Sequence, residues 1–538
     1  MSTRKPERRT KNAAGEARPG FFARMLDTIE RVGNKIPDPF VLFLLLFALV
    51  AVVSTIMSAT GATYEIPGDD SGPHEINGFF TAEGLTWLTT NVVDNFIGFP
   101  PLGVVLTILL GVGLAQRTGL LNTLVRKAFA SAPQWLLPYV TAFVAVSGSI
   151  MSDAAMVVIP PLAAMVFKAA GRHPVAGLLG AFAAAMAAFS CSPFITSTDA
   201  LLSGISNTAM QSVGHLDPTH VSPVSNHFLT FSIAIVLSLV SGLLIDKVLE
   251  PTVERAKAGR DKVEEDESAS ASNEDRPDLK LDPVLTASEK TGLRWSGLAL
   301  VFTVAAVLAV TLPPGAPMRN EDGAFLPESP LLSSVVFLVF LTLAVPAVAY
   351  GLSTRAIRSG ADLTRMMGHT VKEMSGFIVL AFVMAQFLEL FDWTGVSTWI
   401  AIKGAEALEA TGMTGFGAIV CFIVLAFLIN FFIISGSAQW ALFAAVFVPM
   451  FALIGFEPGF VQAAYRIGDS TSSVLSPLNP YVVIVLGFLK AYEPKAGIGT
   501  VIARCLPFSA VFFVLWVSVL AIFYFGGLPI GPGMYPHL

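Results

Sequence analysis

The chain has 538 residues, of which 54% are hydrophobic and 13% are charged, and its formal net charge is −6. Soluble domains carry about 25% charged residues, so this composition excludes an ordinary soluble protein. Repeated apolar runs long enough to cross a bilayer indicate a multi-spanning membrane protein. Three cysteines in apolar segments fit neither a disulfide framework nor a zinc site, and we interpret them as buried hydrophobic side chains: Cys191, Cys421 and Cys505.

Two spans joined by an external loop come first. The N-terminal arm, residues 1–36, is rich in Lys and Arg, which predicts a cytoplasmic location. A span over Phe40–Met57 leads outward, and a second span near Pro101–Leu114 returns to Arg117. No Lys or Arg lies between the arm and Arg117, so the connecting loop is expected outside.

An apolar double run at about residues 133–168 begins and ends beside basic residues. Its middle, Ser147-Gly148-Ser149, is very short for a loop between two full spans. We predict a re-entrant helical hairpin with a tip buried in protein, because non-helical backbone at membrane depth is tolerated only there or against a water-filled cavity. Two full crossings are the alternative. Asp153, just past the tip, is expected to cap the second arm.

A broken span and a return span complete the first half, residues 37–249. The broken span runs from Pro174 to about Ser206, and Ser190-Cys191-Ser192-Pro193 interrupts it because proline removes a backbone donor. The return span covers Phe228–Ile245. The preceding loop lacks Lys and Arg and is expected outside, with three histidines interpreted as solvated: His215, His220 and His227.

A charged linker at residues 250–291 separates the halves and is expected to be mobile and cytoplasmic. The second half, residues 292–526, begins with three predicted spans: Trp295–Leu312, Leu331–Tyr350 and Met374–Phe391. A second hairpin follows at about residues 413–455. A broken span from Gly459 to about Gly487 and a last span over Leu506–Phe525 complete this half. A basic segment before Met374 suggests a surface helix. The tail, residues 527–538, is expected outside.

The two halves repeat a pattern. Ser147-Gly148-Ser149 and Ser435-Gly436-Ser437 are 288 residues apart, and Ser192-Pro193 and Ser476-Pro477 are 284 apart. The flanking charges give the two hairpins opposite orientations. We therefore predict an all-α membrane protein with nine transmembrane helices and two re-entrant helical hairpins in inverted-topology repeats. This arrangement is typical of secondary transporters.

The hairpin tips and helix breaks predict a binding site. Helix N-termini favour anions and C-termini favour cations, and serine hydroxyls can serve either. Arg466 and Asp469 are intramembrane charges, which are costly and usually functional. Arg466 is expected to bind the substrate carboxylate. The alternative is a structural ion pair with Asp469, because residues three apart can share a helix face. Asp199 is assigned to ion coupling, and the alternative is that it caps a helix. Ion coupling is also assigned to five serines that could hold sodium: Ser147, Ser149, Ser192, Ser435 and Ser476.

These residues resemble the p-aminobenzoyl-glutamate transporter (AbgT) family, within a wider group of paired-hairpin ion transporters that includes sodium–dicarboxylate symporters. The most specific stretches are Ser435–Trp440, Gly468-Asp469 and Ser476–Pro480. The resemblance implies a homodimer in the bacterial inner membrane. The activity it implies is p-aminobenzoyl-glutamate uptake or sulfonamide efflux. It also implies functional positions at Asp199, Ser437, Trp440, Pro458, Arg466, Asp469 and Pro477.

Taken together, the sequence predicts a secondary active transporter of small aromatic carboxylates. Trp440 is expected to stack on the substrate ring, with simple packing or an interfacial anchor as the alternative. Asn479 is expected to supply an amide ligand or, alternatively, a hydrogen bond between helices. Coupling to protons or sodium is open, and a sodium-coupled dicarboxylate symporter is the alternative. An intramembrane enzyme or a channel is more distant, because Arg466 stands where the G-x-G-D protease motif needs glycine. No cofactor and no nucleic-acid partner are expected.

Overall fold

The computed structural model describes residues 37–65, 72–211, 216, 219–255, 285–326 and 329–538. The first-half elements, in chain order, are α1 Pro39–Ala59, β1 Thr63–Tyr64, β2 His74–Glu75, α2 Ala82–Ile97, α3 Pro100–Arg117, α4 Leu120–Ala130, α5 Leu137–Ser147, a 3₁₀ turn Gly148–Met151, α6 Ala154–Ala169, α7 Pro174–Ala187, α8 Ser197–Met210, and α9 His227–Leu244 with its π-helical continuation Ile245–Leu249. The two strands form one small antiparallel pair.

The second half contains only helices among the described elements. In chain order they are α10 Ala287–Ala309, α11 Pro330–Ser333, α12 Val335–Thr354, α13 Gly360–Glu373, α14 Ser375–Trp393, α15 Val396–Ala410, α16 Phe416–Ile429, α17 Gly436–Leu453, α18 Pro458–Ser473, α19 Pro480–Lys490 and α20 Ile498–Phe525.

The predicted all-α membrane class is confirmed. Eight helical stretches among the described residues are long and apolar enough to span a membrane. Only 17% of the apolar window in α10 is buried, which leaves a broad apolar face for lipid or a partner. The count of nine crossings with two re-entrant hairpins stays a prediction.

Several elements differ from the sequence interpretation or lie outside it. Helices α2, α4 and α15 occupy segments that we had assigned to loops. A helix, α13, lies in the basic segment where a surface helix was expected, and Ser359 caps its start. The N-terminal arm and His215 lie outside the described residues, as does the central linker apart from its ends, which are helical as far as Arg255 and from Ala287 onward.

A tight turn and a helix cap set the ends of the helices in the two hairpins. Hairpin 1, defined as α5, the 3₁₀ turn and α6, reverses at Ser152, which has a positive φ of 49°. In hairpin 2, defined as α16, residues 430–435 and α17, Ser435 caps α17 through the Ala438 amide at 3.4 Å. The expected capping by Asp153 is wrong, because its side chain makes no bond to the start of α6.

The broken spans of both halves meet in the interior. Break 1, residues 188–196, separates α7 from α8, and break 2, residues 474–479, separates α18 from α19. Helix α18 packs against α7, α8, α16 and α17, and all of its residues, Pro458–Ser473, are buried. A polar helix enclosed in this way must satisfy its side chains internally, which places the candidate site here.

The crossing of α18 and α16 depends on Gly468. A Cβ at this position would lie 2.6 Å from the Ile423 carbonyl oxygen and 2.7 Å from the Ala426 Cβ. We expect Gly468→Ala to destabilise the protein by about 1–3 kcal/mol, because backbone cannot move aside cheaply. Thermal unfolding in detergent would measure the loss.

A matched control is available in α19. Gly487 has open space around its hypothetical Cβ, so Gly487→Ala should leave the melting temperature unchanged or raise it slightly, since alanine favours helix. Equal melting temperatures for the two alanine variants would contradict the proposed close contact.

The C-terminal residues fold back onto the helices. The Glu457 amide donates to the Pro536 carbonyl at 3.2 Å, and the Leu538 amide donates to the Gly455 carbonyl at 3.1 Å. The Leu229 amide donates to the Ile530 carbonyl at 3.0 Å. The tail is thereby bonded both to the α17–α18 connection and to the start of α9.

Candidate functional site

A buried ion pair joins the two halves at the centre of the molecule. The Arg466 Nη1 atom in α18 lies 2.6 Å from the Asp199 Oδ1 atom in α8, and the two side chains are 2% and 12% exposed. The same Nη1 atom donates to the Ser190 carbonyl in break 1 at 3.1 Å. Nη2 donates to the Gln462 Oε1 atom at 3.3 Å. The guanidinium therefore links α18 to break 1 and to the start of α8.

Asp199 has two structural partners. Its Oδ2 atom accepts bonds from the Thr196 amide and hydroxyl, both at 2.7 Å. Thr196 caps α8 in return, which completes a capping box. Asp199 thus stabilises the start of α8 and pairs with Arg466. The alternative in which Arg466 pairs with Asp469 is wrong, because the guanidinium is paired with Asp199 of the first half.

Asp469 instead lies between break 1 and the tip of hairpin 2. The Ser190 hydroxyl donates to the Asp469 Oδ2 atom at 3.2 Å. On the other side, a Cβ added to Gly436 would lie 3.1 Å from the same oxygen, so the tip backbone approaches the carboxylate closely. The carboxylate therefore contacts one element from each half.

Asn430 connects hairpin 2 to the end of α18. Its Nδ2 atom lies within 2.9 Å of the Asp469 carbonyl and the hydroxyls of Ser472 and Ser473. Its Oδ1 atom is buried and has no hydrogen-bond partner among the described residues. The Ser476 Oγ atom in break 2 is in the same situation. Two unsatisfied oxygens near one break offer ligands to a cation or a donor.

The remaining second-half positions are close to this centre but packed. Trp440 is fully buried, donates through Nε1 to the Leu202 carbonyl at 3.1 Å, and packs its ring 4.7 Å from that of Tyr465. Asn479 donates to the Ser473 carbonyl at 2.9 Å and caps α19. Pro458 starts α18, and Pro477 lies in break 2.

The predicted serines divide between local caps and free hydroxyls. Ser149 donates to the Val146 carbonyl at 3.3 Å, and Ser192 accepts from the Phe194 amide at 3.1 Å. Ser435 and Ser437 lie 3.3 Å apart at the tip of hairpin 2. The Ser147 hydroxyl is buried without a partner among the described residues. Of the two serines at the tip of hairpin 1, Ser147 is therefore the one whose hydroxyl has no partner in the part of the chain that the structure describes.

Sequence reasoning missed several members of this network. Gln462 accepts from the Asn226 amide at 2.6 Å and donates to the Ser206 hydroxyl at 3.1 Å, all in buried positions. Its position one turn before Arg466 on a buried helix was the available signal. His227 is not solvated as expected, because it begins α9 and is half-buried.

Comparison with known proteins identifies the fold family. The AbgT transporter family model matches residues 24–538. The chain belongs to the AbgT transporter family. It is 39% identical over 510 residues to the p-aminobenzoyl-glutamate transport protein of Escherichia coli strain K12, covering 95% of this chain and 96% of that one.

Two solved AbgT-family structures share the whole fold. The Alcanivorax borkumensis YdaH transporter superimposes with a TM-score of 0.84 at 32% identity, covering 92% of this chain and all of the other. Neisseria gonorrhoeae MtrF, described among antimetabolite efflux pumps, gives a TM-score of 0.85 at 33% identity, covering 95% and 100%. The resemblance and the transporter class predicted from the sequence are confirmed.

Proposed function

We propose that this AbgT protein is a secondary active transporter of p-aminobenzoyl-glutamate-like aromatic carboxylates, and not an enzyme. The observation that carries the proposal is the buried Arg466–Asp199 pair at the junction of two broken helices. An enclosed charge pair tied to helix breaks is suited to binding an anion and releasing it when the halves separate.

The substrate class rests on similarity along nearly the whole chain. The Escherichia coli relative is named for p-aminobenzoyl-glutamate transport, and the matched region includes the entire site. A substrate carboxylate would compete with Asp199 for the Arg466 guanidinium, because planar guanidinium groups bind carboxylates bidentately. This competition would couple substrate binding to the packing of break 1.

Export of sulfonamide antimetabolites is the second candidate, and the similarity to MtrF favours it. Sulfonamide antimetabolites share the aminobenzene ring of p-aminobenzoyl-glutamate, so one ring site serves both. A secondary carrier runs in the direction that its gradients set, which makes uptake and export two operating conditions of one protein.

Coupling by a proton or by sodium uses different atoms of the site. Asp469 is the candidate proton carrier, because its carboxylate contacts both Ser190 and the tip of hairpin 2. Sodium would take the unsatisfied oxygens of Asn430 and Ser476, since hard cations prefer oxygen ligands. If the proton is the coupling ion, substitution of Asp469 should abolish coupling. If sodium is the coupling ion, substitution of Ser476 should abolish it.

The proposed setting is the bacterial inner membrane, with a cytoplasmic N-terminus, a periplasmic C-terminus and a homodimeric assembly. The distribution of Lys and Arg supports the orientation. The exposed apolar face of α10 provides surface for lipid or a second subunit.

Flux in liposomes tests the proposal. Purified protein should drive saturable accumulation of p-aminobenzoyl-glutamate under a proton or a sodium gradient, applied separately, and should move a sulfonamide in competition with it. Unsaturable conduction, or no flux under either gradient, would contradict a secondary transporter of this substrate class.

A further inference from the structure

A cavity of about 770 Å³ lies beside the tip of hairpin 1. One wall consists of the tip, with Gly148 and Met151, and of Pro193 in break 1. Residues from α10 and α12 also line the cavity, including Gly297 and Pro346. Small-molecule sites occupy about 300–1,000 Å³, so the volume suits a ligand with one aromatic ring and a short polar chain.

The cavity lining is mainly apolar and carries two accessible aromatic rings. Phe194 and Phe143 line it and are 49% and 43% exposed. Phe194 follows the proline of break 1, and its amide is held by the Ser192 hydroxyl at 3.1 Å. The break therefore fixes a phenyl ring at the cavity wall, where it can stack on an aromatic ligand.

A few polar groups interrupt this apolar lining. The Ser147 hydroxyl is buried without a partner among the described residues. His227 also lines the cavity. The neighbouring Asn226 donates to the Gln462 Oε1 atom, which also accepts from Arg466, so hydrogen bonds connect the start of α9 to the central ion pair. Exposed Lys127 provides a positive charge at the lining. An apolar cavity with a few convergent polar groups fits an aromatic anion better than a lipid chain.

We infer that this cavity binds the aromatic ring of the transported substrate, with the ring stacked on Phe194. The inference rests on the proposed function and locates its ring site. Trp440, the aromatic residue suggested by the sequence, has its ring covered by Tyr465 and its N–H bonded in this conformation. Phe194 instead offers an accessible ring.

Filling the cavity is the direct test. A Cβ on Gly297 meets no atom within 4 Å, so Gly297→Trp places an indole in open space. In liposomes, we expect flux and binding of p-aminobenzoyl-glutamate to fall by about 10-fold or more, equivalent to about 1.4 kcal/mol. Gly297→Ala and Leu298→Trp are the controls, because Leu298 is 60% exposed and does not line the cavity. Both should stay near wild type.

The outcomes separate this inference from the proposed function. If the wild type moves no substrate, the proposed function fails. If the wild type transports and Gly297→Trp transports equally well, the ring site is overturned while the function stands. Equal losses in Gly297→Trp and Leu298→Trp would overturn it too. Displacement of co-purified phospholipid with unchanged substrate binding would identify a lipid groove instead.

A second variant covers the case in which Gly297→Trp fails to fold. Phe194→Ala removes an accessible side chain, and we expect the KM for p-aminobenzoyl-glutamate to rise by about 2- to 10-fold with kcat unchanged. Competition by 4-aminobenzoate should weaken in parallel, whereas free glutamate should not compete in either protein. An unchanged KM and an unchanged 4-aminobenzoate competition would overturn the inference.

Discussion

Arg466→Met is expected to abolish substrate flux and to destabilise the protein by about 3–5 kcal/mol, because the buried Asp199 carboxylate loses its cationic partner and keeps only its bonds to Thr196. The pair is almost fully enclosed, and Arg466 also holds the Ser190 carbonyl and Gln462. Thermal unfolding in detergent gives the stability change, and flux per folded protein in liposomes gives the functional change.

A double variant separates the two effects. Asp199→Asn with Arg466→Gln removes both charges and keeps groups that can hydrogen-bond, so much of the lost stability should return while flux stays absent. The Arg504–Glu493 pair is a matched control, since it is similarly buried at 11% and 8% exposure but lies at the junction of α19 and α20. Arg504→Met should lose stability and keep its flux per folded protein. Wild-type flux in the neutral double variant would refute the role of Arg466 in transport.

Asp469→Asn is expected to abolish gradient-driven accumulation while changing stability little. Asparagine matches aspartate in shape and can still accept the Ser190 hydroxyl bond, yet it cannot carry a proton. If the proton is the coupling ion, exchange of labelled for unlabelled substrate should continue in the variant, because exchange needs no net ion movement. Measuring net substrate accumulation and the rate of labelled-substrate exchange in the same liposomes tests this difference.

Two results would argue against a proton on Asp469. Proton-driven accumulation by Asp469→Asn at the wild-type rate would exclude the assignment. Sodium-driven accumulation that survives in Asp469→Asn but is lost in Ser476→Ala would move coupling to the unsatisfied oxygens around break 2. Ser435→Ala is the control, because its hydroxyl already caps α17.

Local chemistry made part of this architecture predictable. Proline removes a backbone donor, so break 1 at Ser190–Pro193 and break 2 at Ser476–Pro477 followed from the sequence. Proline alone was not decisive, because Pro346 and Pro449 lie inside helices. Membrane spans followed from apolar length, as in α1 over Pro39–Ala59. Short helices such as α2 and α15 were missed because polar and charged residues interrupt their apolar runs, so these segments read as loops between spans.

The partners within the site could not be read from the sequence in the same way. The spacing of Arg466 and Asp469 favoured a local pair, yet the guanidinium is bonded to Asp199, 267 residues away. Such contacts depend on how α18 crosses α8, which no local pattern encodes. His227 was misjudged for the same reason, because a loop histidine and a helix-start histidine beside a cavity have similar sequence surroundings.

The folded-back tail restricts how the protein can change shape. Main-chain bonds tie Ile530 to Leu229 at the start of α9, and Pro536 and Leu538 to the connection between α17 and α18. Because these bonds join the elements, we expect them to move together when the site opens. We expect separation to occur instead between hairpin 1 and the helices α10 and α12, which line the same cavity. Cross-linking the tail to α9 should therefore be harmless, whereas cross-linking hairpin 1 to α10 should arrest the cycle.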